Sequence, residues 1–345
     1  MKNCFVTGVT GQDGAHIARL LVDDGWKVFG GRRRGSSSST WRLDYLGITD
    51  KVELVELQLT EPQNLIQLLQ KIQPIQIFHY AGESFVADSF KYPGVTLDAN
   101  AHGTLNLLEA ARLVSPQSKI LCASSSEVFG SSQEEGGVCH EDSDYKPVNP
   151  YGISKLTAMH YARMYREQYN AFVCSAIMFN HEGPLRGRPF VTRKITHNLA
   201  RLKVAGGECF ELGNLDSSRD WGSAEDYVAG GKAMLDLDVP SDYVIASGKA
   251  TTVREFLFFA AEAAGFNPIF EGRGVDELCV DKVSGKILTR VSPKYFRALD
   301  TPPIIGDASK LSSRTGWEGS RDLSVLISEM VNSDIVRWKS GLINI

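Results

Sequence analysis

The sequence predicts an α/β protein in which a doubly wound parallel sheet, built by the first half of the chain, is followed by a smaller α/β unit. Three observations carry that prediction. Short apolar runs alternate with helical stretches from the start of the chain to about Phe179. A glycine-rich turn, Gly8-Val9-Thr10-Gly11-Gln12-Asp13-Gly14, sits at the first strand–helix junction. Beyond Phe179 the alternation loosens, and Gly, Arg and Pro crowd residues 183–190.

Taken in order, residues 3–7 read as the first strand and 16–24 as the helix after it. Apolar runs at 26–30, 52–59 and 75–80 give further strands, with a helix at 65–72 between the last two. Residues 103–114 read as a helix, 119–123 as a strand, 151–169 as a long helix and 171–179 as an apolar strand. In the second half, 243–246 reads as a strand and 253–264 as a helix. Two polar loops stand out: residues 32–40, basic and then serine-rich, and residues 131–145, acidic and expected to be exposed. There is no internal repeat.

A chain of 345 residues exceeds one average domain, so two units are expected. The first spans residues 1–180, with 220–247 returning to it, and the second covers mainly 181–345. Hydrophobic residues at 43% and charged residues at 23% match an ordinary globular protein with a large core. Neither disulfides nor a structural metal is needed, and no metal site is expected. A net charge of −4 gives no bulk support for nucleic-acid binding. Cys4, Cys122, Cys139, Cys174, Cys209 and Cys279 form no CxxC pair or zinc-finger spacing and read as small buried hydrophobes. With no signal sequence, a reducing cytoplasm is the expected setting. Apolar stretches fall far short of the ~20 residues that span a bilayer, so no membrane partner is expected.

The glycine turn is the first functional signal. Gly8, Gly11 and Gly14 allow a tight turn and a close approach of backbone to a pyrophosphate, while Gln12 and Asp13 open a helix whose N–H groups favour an anion. The spacing is GxxGxxG, which differs from the GxGxxG of the standard dinucleotide fingerprint, but its position matches a Rossmann nucleotide-binding unit. At the end of the second strand an acidic residue would favour NAD. Here the chain reads Arg32-Arg33-Arg34-Gly35-Ser36, and the guanidinium groups of Arg33 and Arg34 suit the 2′-phosphate of NADP. A solvated basic loop or an intersubunit contact is the other reading of these arginines.

The second signal is Tyr151-Gly152-Ile153-Ser154-Lys155, a YxxxK pattern at a helix start, which sets both side chains on one face. A phenol is a poor base near neutral pH. A nearby ammonium and a cationic nicotinamide favour its phenolate, which can take a hydroxyl proton as hydride leaves the adjacent carbon. In Ala123-Ser124-Ser125-Ser126-Glu127, Ser125 could hydrogen-bond the reacting oxygen. Glu127 is the informative residue: an oxidoreductase or epimerase needs no carboxylate there, whereas a dehydratase needs one to remove a proton alpha to a ketone. Glu127 could instead cap a turn or meet an arginine.

Together these residues resemble the extended short-chain dehydrogenase/reductase superfamily and, within it, the GDP-mannose 4,6-dehydratases. The most specific stretches are Phe179-Asn180-His181-Glu182, Phe190-Val191-Thr192-Arg193-Lys194-Ile195-Thr196, Gly213-Asn214-Leu215-Asp216 and Arg219-Asp220-Trp221-Gly222. The resemblance implies a lyase that stores a hydride on NADP internally. Tyr151 would deprotonate the C4 hydroxyl with help from Lys155, Glu127 would shuttle the C5 proton as water leaves C6, and Ser125 takes the place of the family's threonine. It implies a GDP-linked sugar as substrate, with Asn180, Lys194, Arg219 and Arg297 around the diphosphate and with Ser84, Glu182, Arg186, Val191 and Asp300 completing the binding set. It also implies a homodimer or homotetramer, because the family's arginine–serine loop takes part in subunit contacts.

The chain departs from the family at several points. Gln58 stands where aspartate is usual. Ala81-Gly82-Glu83-Ser84 and Phe85 replace Ala-Ala-Gln-Ser and histidine, and a carboxylate at Glu83 near the sugar could change substrate choice. Val148-Asn149 replaces Arg-Ser before Pro-Tyr, and Arg297-Ala298 with Asp300 replaces Arg-Pro with glutamate. These changes leave open GDP-mannose, a GDP-heptose or another GDP-hexose. The rival activities are a GDP-sugar epimerase or reductase, against which Glu127 speaks, and a non-catalytic NADP sensor, against which the retained Ser125, Tyr151 and Lys155 speak.

Overall fold

Seven strands pair side by side, all in parallel: β1 (Asn3–Thr7), β2 (Lys27–Arg33), β3 (Val52–Leu57), β4 (Gln76–His79), β5 (Lys119–Ala123), β6 (Val173–Met178) and β7 (Asp242–Ile245). The computed structural model describes residues 2–33, 40–132, 137–295, 303–319 and 321–342. Their spatial order is β7-β6-β5-β4-β1-β2-β3. The chain winds outward from β1 to β3, then crosses back to β4 and winds the other way. The reversal leaves a crevice beyond the carboxyl ends of β1 and β4, where doubly wound sheets bind ligands.

Alternation along the strands feeds two cores. Cys4, Val6, Phe78, Leu121 and Cys174 belong to one buried cluster, while Phe5, Ile77, Ile120, Cys122 and Val173 belong to another. Helices Gln12–Asp23 and Ala224–Asp236 contribute Ala15, Ile17, Leu21, Val228 and Met234 to the first cluster. Helices Pro62–Ile72, Gly103–Val114 and Pro150–Tyr169 contribute Leu65, Leu69, Leu107, Ala162 and Tyr165 to the second. With both faces covered, β4, β6 and β7 are buried throughout.

A third core lies in the second half. Helices Val191–Val204, Val253–Ala263 and Leu323–Lys339 pack with a four-stranded sheet, ordered Pro268–Glu271, Leu278–Asp281, Ile287–Val291 and Phe210–Leu212. Trp221 and Phe256 meet edge to face there at 5.3 Å. The helix Val253–Ala263 starts on a capping box between Thr252 and Glu255. A three-stranded sheet of Ala250–Thr252, Ser218–Ser223 and Asn180–Glu182 stands between the two halves. Leu311 and Trp317 bring the chain back to the first core.

The structure differs from the sequence reading in places. The first helix starts at Gln12, because the glycine turn runs directly into it. β2 continues through Arg32 and Arg33, which pair with Glu56 and Leu57, so these residues are strand and not loop. The acidic stretch expected to be exposed is partly buried. Val138–Cys139 pairs with Ile305–Gly306, and Cys139, Glu141 and Ser143 are buried. Glu141 accepts the backbone N–H of Val244 at 2.7 Å, so this acid satisfies a donor on the edge strand β7.

Candidate active site

The turn after β1 opens the site. Gly8 has φ +70°, and a Cβ there would lie 2.8 Å from the Ala81 backbone nitrogen. A Cβ on Gly14 would strike the Gly8 carbonyl. Glycine is required at both positions by close approach, and at Gly8 also by the left-handed backbone. Gly11 is the N-cap of helix Gln12–Asp23 and offers no side chain to its first N–H groups. That helix end is suited to an anion.

Thr7 ties the turn to its neighbours. Ala81 N–H donates to Thr7 Oγ1 at 3.1 Å, and Thr7 Oγ1 meets His79 Nδ1 at 2.8 Å. His79 Nε2 meets Thr104 Oγ1 at 3.1 Å, and Thr104 Oγ1 donates to the Asn100 carbonyl at 2.6 Å. Because the Thr104 proton is committed, His79 carries its own proton on Nε2 and accepts at Nδ1. Burial, together with Lys155, pushes His79 down to about 3, so the ring is neutral. The Asn100 amide then donates to Ser154 Oγ at 2.9 Å, which donates to the Tyr151 carbonyl at 2.7 Å. One network thus joins β1, β4 and the helix Pro150–Tyr169.

A cleft of about 840 Å³ extends from the glycine turn to that helix, and Ser125, Glu127, Tyr151 and Lys155 all line it. Pro150 at the first helical position and Asn149 at the N-cap start the helix there. Lys155 Nζ donates to the Ala123 carbonyl at 2.7 Å and lies 5.9 Å from the Tyr151 ring centroid. Burial lowers Lys155 to about 8. Burial also pushes Tyr151 up to about 12, with a Ser125 hydrogen bond pulling it down and Glu127 adding to the rise. Desolvation thus dominates the phenol in the protein itself. Glu127 accepts from Asn149 Nδ2 at 2.7 Å.

Gly8, Gly11, Gln12, Asp13, Gly14 and Arg33 line the same cleft. Burial would raise the Asp13 carboxyl, but His181 and Arg186 outweigh it and hold Asp13 well below its ordinary value. His181 Nε2 lies 3.0 Å from Asp13 Oδ1, and its Nδ1 meets the Phe179 carbonyl at 2.7 Å. An imidazolium suits both contacts. Burial opposes that charge, yet Asp13 prevails and His181 is raised. Arg33 donates to Glu83 at 2.9 Å. Glu83 thus faces the end of β2. Arg34 lies outside the described residues.

The residues expected to bind substrate divide. Ser84, Asn180 and Arg186 line the cleft, and Arg186 lies 3.6 Å over the Phe190 ring. Arg219 lines a smaller recess of about 30 Å³ shared with Glu127 and Asn180. Glu182 is a correction: it is fully buried, with its carboxylate taken by Thr192 and Arg186. Burial raises it against the pull of Arg186. Val191 and Lys194 sit on the helix Val191–Val204 and are not among the residues lining the cleft. The Lys194 ammonium lies 4.2 Å over the Tyr295 ring. Arg297 and Asp300 lie outside the described residues. Sequence reasoning gave no role to Asn149, His181 or His79. An asparagine directly before Pro-Tyr was a cap signal that could have marked the first of these.

Among the described residues no group of three or more His, Cys, Asp or Glu side chains could hold a metal ion, and no helix is long and apolar enough to cross a membrane. The sequence profile of the GDP-mannose 4,6 dehydratase family matches residues 5–330. The GDP-mannose 4,6-dehydratase of Yersinia enterocolitica is 39% identical over 356 residues, covering 98% of this chain and 95% of that protein. GDP-mannose 4,6 dehydratase 2 of Caenorhabditis elegans is 39% identical over 343 residues, covering 97% and 89%. Two solved structures share the fold. The UDP-glucose 4-epimerase of Thermotoga maritima superposes with a TM-score of 0.81 at 20% identity, covering 99% of both chains. RMD from Pseudomonas aeruginosa, complexed with NADPH, superposes with a TM-score of 0.77 at 23% identity, covering 98% of this chain and 100% of that one. The glycine turn, the Tyr151–Lys155 helix and the near full-length match agree, and the chain belongs to the GDP-mannose 4,6-dehydratase family.

Proposed function

We propose that this protein is a nucleotide-sugar 4,6-dehydratase that converts GDP-mannose, or a close GDP-sugar, to its 4-keto-6-deoxy product through bound NADP. The observation that carries this reading is a carboxylate, Glu127, on the wall of the same cleft as Ser125, Tyr151 and Lys155. An epimerase or reductase has no use for a base at that place, while an elimination alpha to a ketone requires one.

The residues present fit NADP. Two glycines sit where a Cβ would strike backbone, a helix N-terminus is bare of a side-chain cap, and Arg33 ends β2. Arg33, with Arg34 next to it in sequence, suits a 2′-phosphate. The chemistry NADP supplies when bound is reversible hydride storage.

Tyr151 takes the proton of the C4 hydroxyl. Burial disfavours its phenolate, so cationic charge must offset that cost, and Lys155 is the protein's own contribution. Ser125 hydrogen-bonds the same oxygen. The C4 ketone acidifies the C5 hydrogen. Glu127 accepts that proton and passes it to the hydroxyl leaving C6 as water. Asn180, Arg186, Arg219 and Ser84 hold the sugar diphosphate, with Lys194 and, as the family resemblance implies, Arg297 completing the set. Glu182 acts behind them by orienting Arg186. In this reading residues 1–180 with 220–247 bind the cofactor, and 181–345 mainly the sugar nucleotide.

The working form is a homodimer or homotetramer. Phe90, Tyr92 and Leu97, on two consecutive short helices and at the junction between them, are exposed and offer an apolar face for a second copy. Light scattering of the purified protein tests this, and a monomer at micromolar concentration counts against it. The six cysteines are free and suit a reducing cytoplasm. For the activity, the protein is incubated with GDP-mannose and NADP+ and the product is weighed by mass spectrometry. The expected result is loss of one water with no net change in cofactor absorbance. Intact GDP-mannose alongside turnover of another GDP-sugar would reject the substrate. A product of unchanged mass, or stoichiometric cofactor use, would reject the dehydratase.

A further inference from the structure

Asn149 has two jobs in this fold, and only one is structural. It is buried, at 5% exposure, with an extended backbone at φ −140° and ψ 158°. Its Oδ1 accepts the Gly152 N–H at 2.8 Å, which caps the helix carrying Tyr151. That bond fixes the amide orientation, because only the oxygen end can accept an N–H. Nδ2 is therefore aimed away from the helix, and it donates to Glu127 Oε2 at 2.7 Å.

The backbone of Glu127 is clamped to the same helix turn. A Cβ on Gly152 would lie 2.5 Å from the Glu127 carbonyl oxygen. The Glu127 N–H donates to Ser125 Oγ at 3.3 Å. Glu127 and Tyr151 thus depend on one helix start, and Asn149 is the side chain that joins them. A carboxylate on a flexible side chain has rotamers to lose, and a charge-assisted bond to one oxygen selects among them. With Oε2 held, Oε1 is the oxygen left to take a proton.

From this geometry we infer that Asn149 is a positioning residue for the elimination half of the reaction, holding the Glu127 carboxylate toward the sugar while capping the Tyr151 helix. The inference rests on the dehydratase reading. In the step it serves, the C5–H bond breaks and its proton goes to Glu127. The electron pair forms the C5=C6 bond as the C6–O bond breaks, and the hydroxyl leaves as water with the proton from Glu127. Oxidation at C4 precedes this step and does not need Glu127.

Asn149→Gly and Asn149→Asp separate the two jobs, since glycine and aspartate are both well tolerated at a helix N-cap but neither presents a side-chain donor to Glu127. Aspartate also sets a second negative charge beside it. Each variant and the parent are assayed for water loss by mass spectrometry, for reduced cofactor at steady state by absorbance, and for thermal midpoint. Asn149→Gly is expected to keep the parental midpoint within a few degrees while water loss slows about tenfold and reduced cofactor accumulates. Asn149→Asp is expected to slow water loss further, about a hundredfold, with more reduced cofactor. If both variants dehydrate at the parental rate with no reduced cofactor, the positioning role is overturned and the reading of the site survives. If the parent itself forms no dehydrated product from any GDP-sugar, both fall.

Discussion

Arg33 Nη2 and Glu83 Oε1 lie 2.9 Å apart, which joins the end of β2 to the loop after β4. Both side chains are well exposed, at 64% and 42%, so the pair itself is worth little to stability. Its consequence falls on binding, because the same guanidinium is the one proposed to meet the 2′-phosphate. Glu83 competes for that cation and places a negative charge near an incoming dianion. Glu83→Gln is therefore expected to tighten NADP+ binding about threefold to tenfold at low salt, with the gain shrinking as salt screens it. Titration by intrinsic fluorescence or calorimetry at two ionic strengths reads the effect. Unchanged or weaker NADP+ binding would remove Glu83 from the cofactor site.

Lys155 shows a conflict between function and stability. Its pKa is lowered from 10.5 to about 8 by burial, so the fold disfavours the very charge the chemistry needs. The sign follows from proton counting. Between pH 8 and 10.5 the unfolded chain binds more protons at this residue than the folded one, so stability from this group rises with pH in that window. Below about pH 8 the full penalty is present. Lys155→Met is thus expected to lose at least about 100-fold in turnover, yet to be more stable than the parent at pH 7 by on the order of 2 kcal/mol. The gap should narrow toward pH 10, as followed by denaturant unfolding at several pH values. A variant less stable than the parent at pH 7 would show that the bond to the Ala123 carbonyl outweighs desolvation.

The parts of this site legible in the sequence are those whose geometry is local. Gly8 and Gly14 announce a turn because no other residue fits there. Tyr151 and Lys155 share a face because a helix puts them there. The strand–helix alternation located the first six central strands, since parallel strands buried on both faces read as apolar runs, and the seventh read as a short strand in the second half. What stayed hidden depends on tertiary approach. Asn149 meets Glu127 from 22 residues away, and Arg33 meets Glu83 from 50. Glu182 shared a motif with Asn180, but the buried Thr192 hydroxyl and the Arg186 guanidinium claimed its carboxylate. His79, lowered by burial, and His181, raised beside Asp13, could not be told apart without their neighbours.

Glu127→Gln tests the proton shuttle directly. The amide keeps the size of the side chain and can still face Asn149 through its oxygen, but it cannot accept a proton. Oxidation at C4 should continue while elimination stops. Water loss is expected to fall by about 10²–10⁴-fold, with reduced cofactor accumulating to a fraction of the enzyme present. Stopped-flow absorbance and product mass read the two halves separately. Full dehydration activity in this variant would mean that another group carries the proton.

The loop at residues 183–190 brings Arg186 and Phe190 to the cleft, and a buried cluster behind it sets its position. Asp334, fully buried, accepts from Arg193 at 2.7 and 2.9 Å, from Thr196 at 2.7 Å and from Arg337 at 3.0 Å. Arg193 also donates to the Arg186 carbonyl at 2.8 Å, and Arg337 to the Pro184 carbonyl at 2.8 Å. Removing one charge from such a cluster leaves cations buried without compensation. Asp334→Asn is expected to cost about 3 kcal/mol, a fall in thermal midpoint of roughly 3–5 °C. Because the freed arginines also hold the loop, KM for the GDP-sugar should rise severalfold in the fraction that remains folded, with kcat less affected. Thermal unfolding and steady-state kinetics below the midpoint measure the two effects. A lowered midpoint with an unchanged KM would show that the cluster stabilises the fold without setting the loop.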